Sequence, residues 1–246
     1  MALTASPEAQ ARLLDLQALD TKLAQLTHRA KALPQHAAIA KLQSQIDALR
    51  IVQLEQSGAR EDVQIELGRI ESDVAVVTAR IARDTDRAQH STSAKDAQAF
   101  EHELANLARR QSDLEDIELT VMEKLEERET ALAATLAQID DLLAQIAVIV
   151  AERDAELVVL EGEIAGARAD RATIASSVPD DLLALYDRQR ERYGVGASHL
   201  RYGVSSASGV KLLENEMAEI RAAAPDAVIM CATSEAILVR TKESGL

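Results

Sequence analysis

Four residues in the last fifth of the chain stand at a spacing suited to holding a metal ion. Ser205 and Ser208 are three apart, Cys231 and Ser234 are three apart, and 22 residues separate Ser208 from Cys231. With four thiols this would be the pattern of a C4 zinc ribbon, in which two Cys-x-x-Cys knuckles close a tetrahedral site. Only one thiol is present. Serine does not ionise at neutral pH and is no substitute for the soft thiolate that zinc prefers. The reading is a degenerate metal site at Ser205, Ser208, Cys231 and Ser234, with zinc expected to be absent and no other cofactor implied. A structural zinc supplies about 10 to 16 kcal/mol in zinc-finger peptides. Its loss has to be offset by packing among Leu200, Val204, Leu212, Met217, Ile220, Val228, Ile229, Ile237 and Val239.

No other arrangement suggests catalysis. The histidines, His28, His36, His90, His102 and His199, are scattered without paired spacing, and the acid pairs Asp140-Asp141 and Asp180-Asp181 suit helix faces or caps. No nucleophile with a base, no Gly-rich phosphate loop and no metal cluster is legible, so the chain is expected not to be an enzyme. Cys231 is read as an inert small side chain or a relic, because an isolated Cys after an apolar strand is more often packed than reactive. One basic and aromatic concentration exists, Arg188, Arg190, Arg192 and Tyr193, with Tyr186 and Tyr202 nearby. Guanidinium and aromatic planes serve RNA and acidic protein surfaces alike, and the interleaved Asp187 and Glu191 also suit ordinary pairs along a helix.

The elements that position these residues follow from periodicity. Aromatics make up 2% of the 246 residues, too few for a conventional core of that size, while 28% are charged. Apolar residues repeat at heptad spacing from about Leu13 to about Ile164. Ser6-Pro7-Glu8 is a helix start, and Pro34 should break or kink the first helix because it lacks an amide donor. The stripe Ile39, Leu42, Ile46, Leu49 resumes as Val63, Leu67, Ile70, Val74, Val77, Ile81 after a polar gap at Gln53, Gln56 and Arg60. Ser91-Thr92-Ser93-Ala94-Lys95-Asp96 is the plausible turn, and a second stripe runs from Phe100 to Ile149 with Gln111 and Arg128 among its polar members. Such polar seam residues either mark a partner groove or, more often, set register at a cost in stability. About 84 residues, Pro7 to His90, balance about 78, Gln98 to Ala175. The balance favours an antiparallel hairpin, roughly 120 Å long at 1.5 Å per residue, over a parallel homodimer running straight through the turn.

The expected fold is mostly α: an antiparallel coiled-coil hairpin over residues 1–176, with a turn near 90–97 and a kink near 34, then a small α+β module over 177–246. In that module Asp180 to about Arg192 and Asn215 to Ala223 read as helices. Ala197 to Val204, Val210 to Leu213, Val228 to Met230 and Ile237 to Val239 read as strands.

The formal charge is −14; residues 180–246 hold 8 Lys/Arg and 10 Asp/Glu, so they carry −2 and the remainder −12. Bulk nucleic-acid binding through the helical part is disfavoured, since it relies on cations that release counterions. No 18 consecutive apolar residues occur and no signal peptide is visible, so a cytoplasmic, membrane-free protein is expected. The single cysteine agrees with a reducing compartment.

The tail phrase Ile220-Arg221-Ala222-Ala223-Ala224-Pro225-Asp226-Ala227-Val228-Ile229-Met230-Cys231-Ala232-Thr233-Ser234-Glu235-Ala236-Ile237-Leu238-Val239-Arg240 carries a resemblance. Pro179-Asp180-Asp181-Leu182-Leu183-Ala184-Leu185-Tyr186 and Arg109-Arg110-Gln111-Ser112-Asp113-Leu114-Glu115-Asp116 extend it. With them the chain resembles a bacterial family that joins a coiled-coil hairpin to a C-terminal C4-type zinc ribbon. Family members carry a second Cys followed by Gly where this chain has Ser234 and Glu235. The resemblance implies protein–protein or other macromolecular binding, since relatives are linked to flagellar or type III secretion assembly, to a transcription sigma factor and in one branch to messenger RNA. It also marks Lys95, Asp96 and Phe100, which stand where relatives carry a Lys-Glu pair before an aromatic, as a contact point. The functional expectation is a non-catalytic adaptor or scaffold, monomeric or homodimeric, acting on a protein partner through hairpin and tail. The alternative is an RNA-binding or transcription-associated regulator acting through the basic segment.

Overall fold

The computed structural model describes residues 3–246. Long helices form a hairpin, and a small mixed sheet follows at the C-terminal end. The first helix, α1 (Pro7–Lys31), starts where Ser6 Oγ accepts the Ala9 amide, with Pro7 at the first helical position and Glu8 near the positive end of the dipole. It stops before Leu33, and α2 (Pro34–Gln89) begins on the proline itself, whose missing amide costs nothing there. After four residues α3 runs from Ala94 to Ala175, followed by α4 (Asp180–Tyr193). By length and composition alone, one 18-residue window of α3 is apolar enough to cross a membrane. Its Ala, Ile, Leu and Val residues are interrupted by too few charges to lower that average, a point that counting uninterrupted apolar runs misses.

The tail contains β1 (Ala197–Arg201), β2 (Val204–Ser205), α5 (Glu214–Ala222), β3 (Ile229–Met230) and β4 (Ile237–Val239). The sheet order is β2-β1-β4-β3, with β1 parallel to β4 and the other pairs antiparallel. The expected Ala197–Val204 strand is split by a turn at Tyr202-Gly203, and Val210–Leu213 contributes an isolated bridge, Val204 to Lys211, instead of a strand.

The chain divides into two compact units that do not follow chain order at residue 176. One contains Met1–Pro34 and Glu152–Leu246, the other Gln35–Ala151. The first unit gathers distant segments because the start of the chain pairs with the tail. Ala5 N donates to Asp226 O at 2.8 Å, Val228 N donates to Leu3 O at 3.1 Å, and Thr4 bridges Ala227. The sheet therefore has α5 on one face and α1 with α4 on the other. Leu200, Leu212, Met217, Ile220, Cys231 and Leu238 pack on one side. Ile237, Val239 and Ala197 pack on the other against Ala9, Leu13 and Leu16 of α1 and Leu182 and Tyr186 of α4. The tail core was expected to be self-contained. Instead Ile237, Val239 and Val228 turn to the helices, because consecutive strand residues point to opposite faces.

In the second unit the heptad stripe is the core. Val63, Leu67 and Val121 are buried together, with Ile70 and Leu125 against them.

Candidate functional site

The sequence singles out three places: Ser205, Ser208, Cys231 and Ser234 in the tail, the hairpin turn, and the basic segment of α4. In the tail, antiparallel pairing of β1 with β2 and the turn after β3 bring Ser205 and Cys231 together, their Oγ and Sγ 3.5 Å apart. Ser205 Oγ lies 2.7 Å from Ser198 Oγ, and Ser198 Oγ accepts the Ala207 amide at 3.1 Å. Cys231 Sγ also lies 3.4 Å from Thr233 Oγ1. Ser208 does not join this chain; its Oγ accepts the Val210 amide at 3.2 Å. Ser234 Oγ is buried, and its hydroxyl and amide lie close enough to the thiol to favour the thiolate. Burial opposes ionisation of Cys231, but donors from Ser205, Ser234 and Thr233 outweigh it and bring the thiol down to about 7.

These residues do not fit zinc. Ser205 is committed to a hydroxyl chain, Ser208 to a turn amide, and one thiolate in four cannot supply the soft donor set. Among the described residues no group of three His, Cys, Asp or Glu converges. In the turn after β3, Glu235 N donates to Cys231 O at 2.8 Å and Cys231 N to Ala236 O at 2.9 Å. Glu235 holds φ at +56°, in the left-handed region that favours glycine.

At the hairpin turn, α2 ends at Gln89 and α3 is capped by Ser93, whose Oγ accepts the Asp96 amide at 3.4 Å. A groove of about 450 Å³ opens there, lined by Asp86, Arg87, His90, Ser91, Asp96, Ala99 and Phe100. Asp96 and the half-buried Phe100 share it. Lys95 is exposed outside the lining.

The four members of the basic segment have different fates. Arg192 stacks over the exposed Tyr193 ring at 5.2 Å, and Arg188 is exposed. Arg190 turns inward, its Nε 3.4 Å from Asp20 and 3.5 Å from Asp187.

That inward turn exposes a network that local reading missed. Asp20 of α1 is buried and accepts Tyr186 Oη at 2.7 Å and Arg171 Nε at 2.7 Å; Arg171 Nη2 also reaches Asp187 Oδ1 at 2.7 Å. The hydrogen bond to Asp20 raises Arg171 further, and burial followed by the same carboxylate pushes the Tyr186 phenol far above its ordinary range. Gln17 Oε1 accepts the Gly196 amide at 2.8 Å, and a Cβ at Gly196 would sit 2.5 Å from the Tyr186 ring. Arg240 forms a second lock, donating to the carbonyls of Ile220, Ala223, Ala224, Pro225 and Ala227 at 2.7 to 3.4 Å. An acid on an early helix and an arginine 151 residues later carry no shared sequence signal.

Comparison with known proteins places this architecture. The model of the CT398-like coiled coil hairpin domain matches residues 16–194. Over 232 residues the chain is 33% identical to an uncharacterized protein of Mycobacterium tuberculosis H37Rv, covering 94% of this chain and 95% of that one. A solved structure from Mycobacterium smegmatis superposes with a TM-score of 0.86 at 32% identity, covering 97% of this chain and 100% of that one. CT398 from Chlamydia trachomatis shares the fold, with a TM-score of 0.66 at 17% identity and coverage of 94% and 97%. The chain belongs to the family of the CT398-like coiled coil hairpin domain.

Proposed function

We propose that this protein is a non-catalytic adaptor that engages a protein partner at the hairpin turn and uses the tail as a metal-free structural module. The supporting observation is the groove at the turn, where the chain's single Phe lies half-buried beside Ala99 with Asp86, Arg87, His90 and Asp96 around it. An apolar centre with a charged rim is the pattern of a small protein-recognition patch. The absence of four matched donors at the knuckles supports a tail held by packing and hydrogen bonds, with no zinc.

Comparative capture from the native host tests this reading. Full-length protein, Phe100→Ala and Lys95→Glu are used as baits. Loss of the same partner from both variants, with the tail unchanged, is expected. Partner recovery independent of both residues contradicts the proposal. Elemental analysis giving near one zinc per chain contradicts the metal-free tail.

A second reading rests on the exposed Arg192–Tyr193 stack and exposed Arg188, which offer a base a planar surface. Arg190 is turned toward Asp20 and Asp187 through its Nε. A salt-sensitive shift of single-stranded RNA, lost in Arg188→Glu with Arg192→Glu, supports this alternative. No shift at low salt removes it.

A further inference from the structure

In a chain of net charge −14, one groove gathers cations. It measures about 430 Å³ and follows a single face of α1 from Asp20 through Leu23, Ala24 and His28 to Lys31, with Arg168 of α3 and Arg190 of α4 on its walls. Asp20 is the acid in the lining, and Tyr186, Arg171 and Arg190 already occupy its oxygens. Lys31 and Arg168 have no acidic partner among the described residues, unlike Arg29, which pairs with Glu156 at 2.8 Å.

The spacing of these cations says what they suit. Asp20 and Lys31 are eleven residues apart on one helix, about 16 Å along its axis. Arg190 sits at the Asp20 end and Lys31 at the other. Donors spread along such a length do not converge on a single phosphate. They match a row of carboxylates. The floor is Leu23 and Ala24, and His28 is the one aromatic ring in the lining, so successive bases of a single-stranded nucleic acid would find no row of stacking surfaces. A helix carrying Leu on one face and Glu on the flanks satisfies both floor and walls.

We propose that this groove binds an acidic amphipathic helix of a protein partner. The proposal extends the adaptor reading to a second contact, on a different unit from the hairpin turn.

The probe is a fluorescent 18-residue peptide with Leu at helical spacing and Glu flanking it, titrated into the full chain by anisotropy. A Gln-flanked peptide and a 12-nucleotide polyuridine serve as comparators. Binding of the Glu peptide is expected, weakening as salt rises. Affinity should fall at least about tenfold in Lys31→Glu with Arg168→Glu, and by less in Lys31→Gln with Arg168→Gln. Circular dichroism melts establish that each variant is folded, and the Gln pair decides the matter if the Glu pair unfolds. Equal binding of the Gln peptide, indifference to both variant pairs, tighter binding of polyuridine, or no binding at low salt each overturns the proposal. A Phe100→Ala variant should bind the peptide normally, so failure here and failure at the hairpin turn are separable.

Discussion

In the unit built from Met1–Pro34 and Glu152–Leu246, Gln10, Asp20, Ser198, Ser205 and Ser244 are buried polar side chains; among the described residues of Gln35–Ala151, only Asp84 and Thr135 are. The first encloses the Asp20–Arg171–Tyr186 cluster, the Arg240 fan and the Ser205–Cys231 chain. The second encloses Ile46, Val63, Leu67, Leu107, Leu114, Val121 and Ile139, and its cross-helix ion pairs, Arg60–Glu129 and Lys124–Glu66, are well exposed. A coiled-coil seam needs only periodicity to bury apolar surface. A small sheet wedged between helices from distant parts of the chain needs a unique arrangement, and directional polar contacts select one. Stability in the two units should therefore respond differently to the loss of a single side chain.

The sharpest way to break this contrast is Asp20→Ala. It leaves the Arg171 and Arg190 guanidiniums and the Tyr186 hydroxyl without their shared acceptor, and about 3 to 5 kcal/mol of unfolding free energy should be lost. Urea unfolding followed by circular dichroism measures it. A change under 1 kcal/mol would mean the network is decorative. Arg240→Ala comes next. Five carbonyls around the end of α5 lose their donor, and a loss of about 2 to 3 kcal/mol is expected in the same assay.

Cys231 supplies a smaller, pH-dependent effect. Its pKa falls from 9.0 in the unfolded chain to about 7 in the fold, so the associated stability is fully present above pH 9 and is lost as pH falls through 7. Unfolding under reducing conditions at pH 6.5 to 9 should show stability rising across that window, and the slope should vanish in Cys231→Ser. Glu235→Gly is expected to stabilise by about 1 kcal/mol, because φ of +56° strains any residue with a Cβ. Thermal melts reporting a decrease would place an unrecognised role on the Glu235 side chain. Arg60→Ala should change stability by less than about 0.5 kcal/mol, since both it and Glu129 are solvated. A large loss there would erase the contrast between the units.

The same contrast explains what could be read from residues alone. The hairpin stripes, the capped starts at Ser6 and Ser93, and the strand at Ile237–Val239 follow from local periodicity and turn chemistry. Ser205 and Cys231, singled out by Cys-x-x-Cys spacing, lie with Oγ and Sγ 3.5 Å apart. Spacing could not show that Ser208 turns aside to Val210, because the backbone amide competing for it is visible only in the folded turn. Nor could periodicity show that α1 covers one face of the sheet, since Leu13 and Leu16 look the same on a stripe whether their neighbour is a helix or a strand. Arg190 reads either as a surface contact or as a member of ordinary pairs along its helix, and its approach to Asp187 is of that local kind. Its other acid, Asp20, is brought to it only by tertiary packing.

The central claim is that recognition lies at the hairpin turn. It is tested most directly with a photo-crosslinking amino acid placed in the native host at position 100, and separately at the exposed position 119 of the same helix. The account predicts one discrete adduct from position 100, diminished by Lys95→Glu, and none from 119. No adduct at 100, or the same adduct from both positions, would contradict it.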